Sequence, residues 1–254
     1  DIRYRFWGIG SDADDSEEYI RVRQKMPLFY INAKYEIFDG GYLGLGYIGS
    51  QSDTSFDLRD FDLPPGFSKL EEETDIGGLE VPFLFDTRDN QQYPREGWQV
   101  DASAIFYDQN LGSDFDTESL SFSANHYITL RDKDVLAMRG MTSYTGKGAP
   151  FYLQSSIGGR TDMRGYEWGR YIDRVSYTLQ GEYRWQVTDS WVVTGFAGVA
   201  EVAPSYGELF NDLLPAAGLG VRYMLDQFYD LTIAIDIARG NDDTHYYFTI
   251  GEAF

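Results

Sequence analysis

The chain has 254 residues, 43% of them hydrophobic and 17% aromatic, enough for one large domain or one barrel. A formal net charge of −20 excludes nucleic acid as a partner, because a phosphate backbone demands a basic surface. There is no cysteine for a disulfide or a thiolate site, and the two histidines are too few for most metal clusters, so neither metal nor cofactor is expected.

The opening "DIRYRFWGIG" has no Met and no basic stretch ahead of it, which reads as a processed or truncated start. A first strand is expected over 2–10 and a second over 18–37. In the second the apolar parity moves from Ile20 and Val22 to Phe29, Ile31 and Tyr35, with Pro27 at the switch. A bulge or an extra turn is therefore expected at Pro27. Further strands follow at 42–50, 75–87, 97–107, 118–130, 133–145, 173–187, 190–201, 213–225, 229–239 and 243–254.

Their alternation is clean. "GWQVDASAIF" sets Trp98, Val100, Ala102, Ala104 and Phe106 against Gln99, Asp101 and Ser103. "RVSYTLQGEYRWQV" sets Val175, Tyr177, Leu179, Tyr183, Trp185 and Val187 against Ser176, Thr178, Gln180, Glu182, Arg184 and Gln186. That run is more than twice the roughly five or six residues of an ordinary strand. Short links at 131–133, 188–190 and 226–229 alternate with long ones at 11–17, 51–74, 108–117, 146–172 and 201–212.

No apolar run approaches the roughly 18 residues of a spanning helix, and alternating spanning strands average out to polar. The fold class expected is all-β: one transmembrane antiparallel up-and-down β-barrel over 1–254, with about twelve strands and both termini on the short-turn, periplasmic side.

Three charged sets have competing readings. Arg139, Arg184 and Arg222 share polar-face parity with Asp101, Glu182 and Asp236, which favours ion pairs bracing the wall over a charged filter. "SDTSFDLRDFDLPPGFSKLEEETD" reads as a solvated acidic loop rather than a divalent-cation site, since no calcium-loop spacing is present. His126 lies on an apolar face with no serine in reach, and "NDDTHYYF" puts Asp242 and Asp243 beside His245. No nucleophile–base pair emerges from either, so no catalytic residue and no enzyme activity are expected.

The last strand, "THYYFTIGEAF", places Tyr246, Phe248, Ile250 and a terminal Phe254 on one face. This resembles the terminal signal by which bacterial outer-membrane barrels are recognised by their assembly machinery. "DTRDNQQYPREGW", with Asp86, Arg88, Pro94 and Gly97, resembles a periplasmic turn of the BamA/TamA-type surface antigen barrels. "MRGYEWGRY", containing Arg164, Gly165 and Tyr166, resembles the signature on their sixth extracellular loop, and "LQGEYRW" and "GLGVRY" resemble the strands that follow.

The resemblance implies a Gram-negative outer-membrane barrel of the type without POTRA repeats, with sixteen strands if four precede Asp1. It implies that the loop at 146–172 folds into the lumen, where Arg164 pairs with Glu182. The family's second acidic partner falls on Gly198 in "GFAGVAEV", so Asp236 or another lumenal acid is left to compensate. The implied function is insertion or translocation of proteins, or lipid handling, with outer-membrane lipids, client polypeptides and the assembly machinery as partners. A weak seam between 2–10 and 243–254, loosened by Gly251, would template client strands. The alternatives are a passive channel or structural surface antigen, and the translocator barrel of a patatin-type lipase.

Overall fold

The computed structural model describes residues 1–11, 19–58, 69–131, 133–226, 231–241 and 243–254. The strands are β1 (Ile2–Phe6), β2 (Ile20–Lys25), β3 (Leu28–Phe38), β4 (Gly41–Asp57), β5 (Lys69–Asp86), β6 (Gly97–Tyr107), β7 (Thr117–Leu130) and β8 (Asp134–Thr145). They continue with β9 (Ser155–Ile157), β10 (Tyr171–Asp173), β11 (Val175–Gln186), β12 (Trp191–Ala203), β13 (Leu214–Asp226), β14 (Leu231–Arg239) and β15 (Thr244–Ile250). All ladders are antiparallel, in the order β1-β2-β4-β5-β6-β7-β8-β11-β12-β13-β14-β15, with β3 also on β4. β9 and β10 form a separate hairpin inside the long 146–174 connection.

β2 and β3 are halves of one strand. Lys25 faces Asp53 and Leu28 faces Ser50, three residues on in one strand and three back in the other. The register runs through Pro27 without an extra residue, which corrects the expected bulge; the irregularity lies at Glu36/Phe38 instead. The parity switch has another cause. Below Pro27 the outward face is Phe29, Ile31 and Tyr35, all exposed, as lipid contact requires. Above it the outward face is Arg21, Arg23 and Lys25, while Val22 turns inward and is buried. The strand leaves the hydrocarbon and exchanges its greasy side for its charged one.

The same change marks β4 and β5. Leu43 and Leu45, then Leu79, Phe83 and Phe85, face outward low on the hairpin, and Asp53, Glu71 and Glu73 face outward high on it. The supposed loop over 51–74 is thus partly strand, since β4 runs to Asp57 and β5 starts at Lys69. Its remainder, 59–68, lies outside the described residues.

β2 and β3 counted as one, the wall has twelve positions. Among the described residues no ladder joins β1 to β15, so the sheet is open along those edges. Outward residues such as Leu45, Ile235, Tyr246 and Phe248 are exposed, whereas the inward faces of β11 to β14 are closed by the loop. There Met163, Tyr166, Tyr171 and Ile157 pack on Ala200, Val202, Leu214 and Ala216.

Candidate lumenal site

Arg164 is held on a loop that leaves β8 at the long-loop end and returns to β11. The loop enters the lumen because its backbone can approach the wall at Gly165. That residue has φ of +110°, and a Cβ there would meet Gly240 N at 2.9 Å and the Ala216 Cβ at 3.0 Å. Its N–H donates to the Tyr247 hydroxyl at 3.0 Å. The Tyr166 hydroxyl donates to Pro215 O at 2.6 Å and accepts from Asn241 N–H at 3.2 Å. Gly165 and Tyr166 therefore dock the loop while Arg164 reaches inward.

The Arg164 guanidinium meets Glu182 Oε2 at 2.6 Å through Nη2 and Asp236 Oδ2 at 2.8 Å through Nη1. Its carbon stands 3.5 Å from the centre of the Phe196 ring. Asp236 thus occupies the role of the second acid that Gly198 cannot supply. A Cβ at Gly198 would come within 2.6 Å of Leu179 O and 2.7 Å of the Gln180 side chain, so the cross-strand neighbour fills that space.

Three further charges complete the cluster. Arg184 Nε donates to Glu182 Oε1 at 2.8 Å, and Arg222 Nε donates to Glu252 Oε2 at 3.1 Å. Arg222 also pairs with Asp236 and lies 3.5 Å from Glu182. Three guanidinium groups and three carboxylates, all fully or almost fully buried, balance one another. A buried charge is tolerated only when paired in this way. Sequence parity put Glu182, Arg184, Arg222 and Asp236 on the lumenal face. Parity does not reach Glu252, which follows the last alternating residue, and period two says nothing of a turn. Arg139 stays apart, donating to Asn125 Oδ1 at 3.2 Å.

The lower side of the cluster is the short link at 87–96. Asp86 takes the Arg88 guanidinium in a two-bond clasp of 2.9 and 2.7 Å, and Gly97 has φ of +100°, where a Cβ would meet Thr87 O at 2.3 Å. Pro94 O accepts from Arg184 Nη1 at 3.3 Å, and Arg184 lies 5.3 Å from the Tyr93 ring. Burial pushes the Tyr93 hydroxyl up to about 12.

Tyr246, Phe248 and Ile250 share the outward face as expected, but Phe254 does not. β15 ends at Ile250, and Gly251, with φ of +88°, turns the tail inward. Phe254 packs against Tyr127, Val135 and Ala137 on the lumenal wall, and its carbonyl accepts from Arg184 Nη2 at 2.8 Å. The alternation broke at Gly251, so extending it to Phe254 put that ring on the wrong face.

Beside the cluster, Asp162 on the loop accepts from the Thr178 hydroxyl at 3.1 Å. Desolvation pushes its carboxyl up to about 6, against the pull of Thr178 and Arg139. Elsewhere, His126 stacks on Trp98 at 3.8 Å on the outward face. Asp242 lies outside the described residues. Among the described residues no group of three or more histidine, aspartate or glutamate side chains could hold a metal ion.

No curated protein matches the chain. Among solved structures, the crystal structure of BamA from Haemophilus ducreyi lacking POTRA domains 1–3 is similar, with a TM-score of 0.67 at 12% identity. That likeness covers 98% of this chain and 56% of the other, so the chain spans little more than half of it. A KdgM porin is matched over 91% of this chain and 99% of its own, at 10% identity and a TM-score of 0.36, too low to carry an argument. The family model of the Omp85 superfamily domain matches residues 47–254, most of the sequence, and the chain belongs to the Omp85 superfamily of outer-membrane β-barrels.

Proposed function

We propose that this barrel promotes insertion of client polypeptides into, or their translocation across, the outer membrane, with the short-turn end and the end of β15 in the periplasm; Asp1, paired with Arg23 above Pro27, stands at the long-loop end instead, which corrects the expectation that both termini are periplasmic. Membership of the superfamily supports the class of activity. The observation that carries the reading is the exposed strand edge. All eleven residues of β3 are exposed, and among the described residues their ladder is to β4 alone. An unpaired edge of that length offers hydrogen-bond partners to an incoming strand. The lumenal cluster supports the same reading by keeping the opposite wall rigid while the edge works. Client strands, outer-membrane lipids and, during biogenesis, the assembly machinery are the partners it requires; lipid handling and export of a passenger such as a patatin-type lipase remain variants of the same barrel.

The test is reconstitution of the barrel in liposomes followed by folding of a small unfolded barrel protein. Acceleration that disappears when Asn32 and Lys34, whose N–H groups point away from β4, are replaced by proline supports the reading. No acceleration by the native protein, under conditions where it is itself folded, refutes it.

A second reading, a passive solute channel, is favoured by one observation. Cavities of about 330, 250 and 220 Å³ follow one another along the inner wall, the first two meeting at Asp101 and Ser123 and the last two at Ser103, Ser121 and Ser143. A steady open pore in planar bilayers that is indifferent to Arg164→Ala would favour the channel. Neither reading invokes a catalytic residue.

A further inference from the structure

We infer that the link between β12 and β13, residues 204–213, is a hook that sets Tyr206, Phe210 and Leu213 into the headgroup boundary of the outer leaflet. The inference rests on the membrane-spanning wall and not on the insertion activity. The link leaves β12 at the long-loop end, yet it folds back over the outer surface of the wall instead of standing in water. Tyr144, Tyr177 and Glu201 point outward, by parity with the exposed Met138, Leu179 and Trp191 on their own strands. The Tyr206 ring stacks over Tyr144 at 6.1 Å, and the Phe210 ring lies on Tyr177 at 5.2 Å. Where the link begins, Arg174 Nε donates to Pro204 O at 2.9 Å.

Neither the backbone nor the packing accounts for the phenylalanine. Glu201 is only 1% exposed, and its carboxylate accepts from the N–H groups of Phe210, Asn211 and Asp212 at 2.7, 3.0 and 3.1 Å. Successive N–H groups that converge on one anion form a nest, which takes a residue in the left-handed region. Phe210 is that residue, with φ of +74°. Glycine adopts this conformation freely, whereas a bulky side chain adopts it only under constraint. The ring gains little from its own chain in return, since it stays 73% exposed on Tyr177. Tyr206 and Leu213 beside it are about half exposed. Three apolar side chains held outward on a tethered link are favourable where the medium is not water.

The level of the hook on the wall identifies that medium. Trp185, Trp191 and Tyr223 are exposed on the outward face toward the short-turn end. Tyr177 stands eight residues above Trp185 on β11, about 26 Å along the strand and, at a tilt of about 45°, about 19 Å higher. The apolar band of an outer-membrane barrel is about 25 Å tall, with an aromatic girdle at each interface. Near the upper interface β11, β12 and β13 offer Val175, Ala203 and Pro215 outward, with Tyr177 the one ring, and the hook lies over it. Directly below, Leu179 faces Val199 across the ladder, so the lipid-facing surface continues up to the hook without a break. The acids of the link are engaged elsewhere: Glu208 accepts from the Ser205 hydroxyl at 2.9 Å and Asp212 from the Ser11 hydroxyl at 3.1 Å. The link thus supplies the upper girdle that these strands lack, and covers a carboxylate that bare lipid contact would penalise.

The test exploits the absence of cysteine from the chain. Tyr206→Cys, Phe210→Cys and Leu213→Cys each carry a nitroxide label in phosphatidylcholine vesicles, and relaxation by oxygen is compared with relaxation by a water-soluble nickel chelate. Lys147→Cys, exposed at the same end, gives the reference for water, and Leu219→Cys, exposed on the mid-wall, gives the reference for hydrocarbon. The expected oxygen-to-nickel ratio at all three sites lies between the two references, as a headgroup boundary demands. Ratios equal to that at 147 overturn the inference and leave the rings to a soluble partner such as a client chain. Spectral broadening at 210 that disappears on dilution with unlabelled protein overturns it too, because a second copy then covers the rings. A ratio at 219 no different from that at 147 would strike at the membrane fold itself, and so separates failure of the wall from failure of the hook.

Discussion

Removing the Arg164 guanidinium would strand Glu182 and Asp236 beside Arg184 and Arg222 in a fully buried site. Losing one member of a buried ion pair costs about 3–5 kcal/mol, so Arg164→Ala should lower the unfolding temperature measured by heat-dependent gel mobility and expose 158–170 to protease. Arg164→Lys should recover only part of the loss, since one ammonium cannot span both carboxylates at these distances. Moving the second acid to the family's usual place should fail: Gly198→Asp/Asp236→Gly meets Leu179 O and Gln180, and is expected to be less stable than the native protein in the same assay. Asp162 gives a pH dependence. Its carboxyl is raised in the folded protein, so the folded state binds the proton more tightly and docking is strongest below the ordinary value near 4. That contribution is lost as pH rises through about 6, so loop protection against protease should be greater at pH 4 than at pH 7.5, a difference that Asp162→Asn should abolish.

Among elements, the twelve wall strands were legible because a face in lipid and a face in a polar lumen enforce a period of two over ten or more residues. What alternation could not tell was which solvent lay outside. At Pro27 the change of apolar side predicts a bulge or an extra turn, whereas the register is unbroken and the surroundings change. With no native cysteine in the chain, the distinction is measurable by single-cysteine labelling. Cysteines at positions 21, 23 and 25 should react with a membrane-impermeant maleimide, and those at 29 and 31 should not. A bulge would place 23 and 29 on opposite faces and break that pattern. The loop signature was legible in the same way, through Arg164, Gly165 and Tyr166, and its wall partner Glu182 through parity. Glu252 and Phe254 were not, because one left-handed glycine redirects the tail and the residues beyond it carry no period.

For the whole molecule, that glycine joins the closing strand to everything the lumen holds. Gly251→Val should be strained by about 1–2 kcal/mol at its left-handed backbone and should withdraw Glu252 and Phe254 from Arg222 and Arg184, lowering the unfolding temperature without altering β15 above it. Arg184 is the place where this matters most. It touches Glu182 on its own strand, Pro94 from ninety positions earlier and Phe254 from seventy positions later. That guanidinium therefore reaches its full set of partners only when segments far apart in the chain have come together around it. The lumen is in this sense a lock whose tumblers come from distant parts of the chain, so a barrel that has not brought them together keeps its interior wet and pliable.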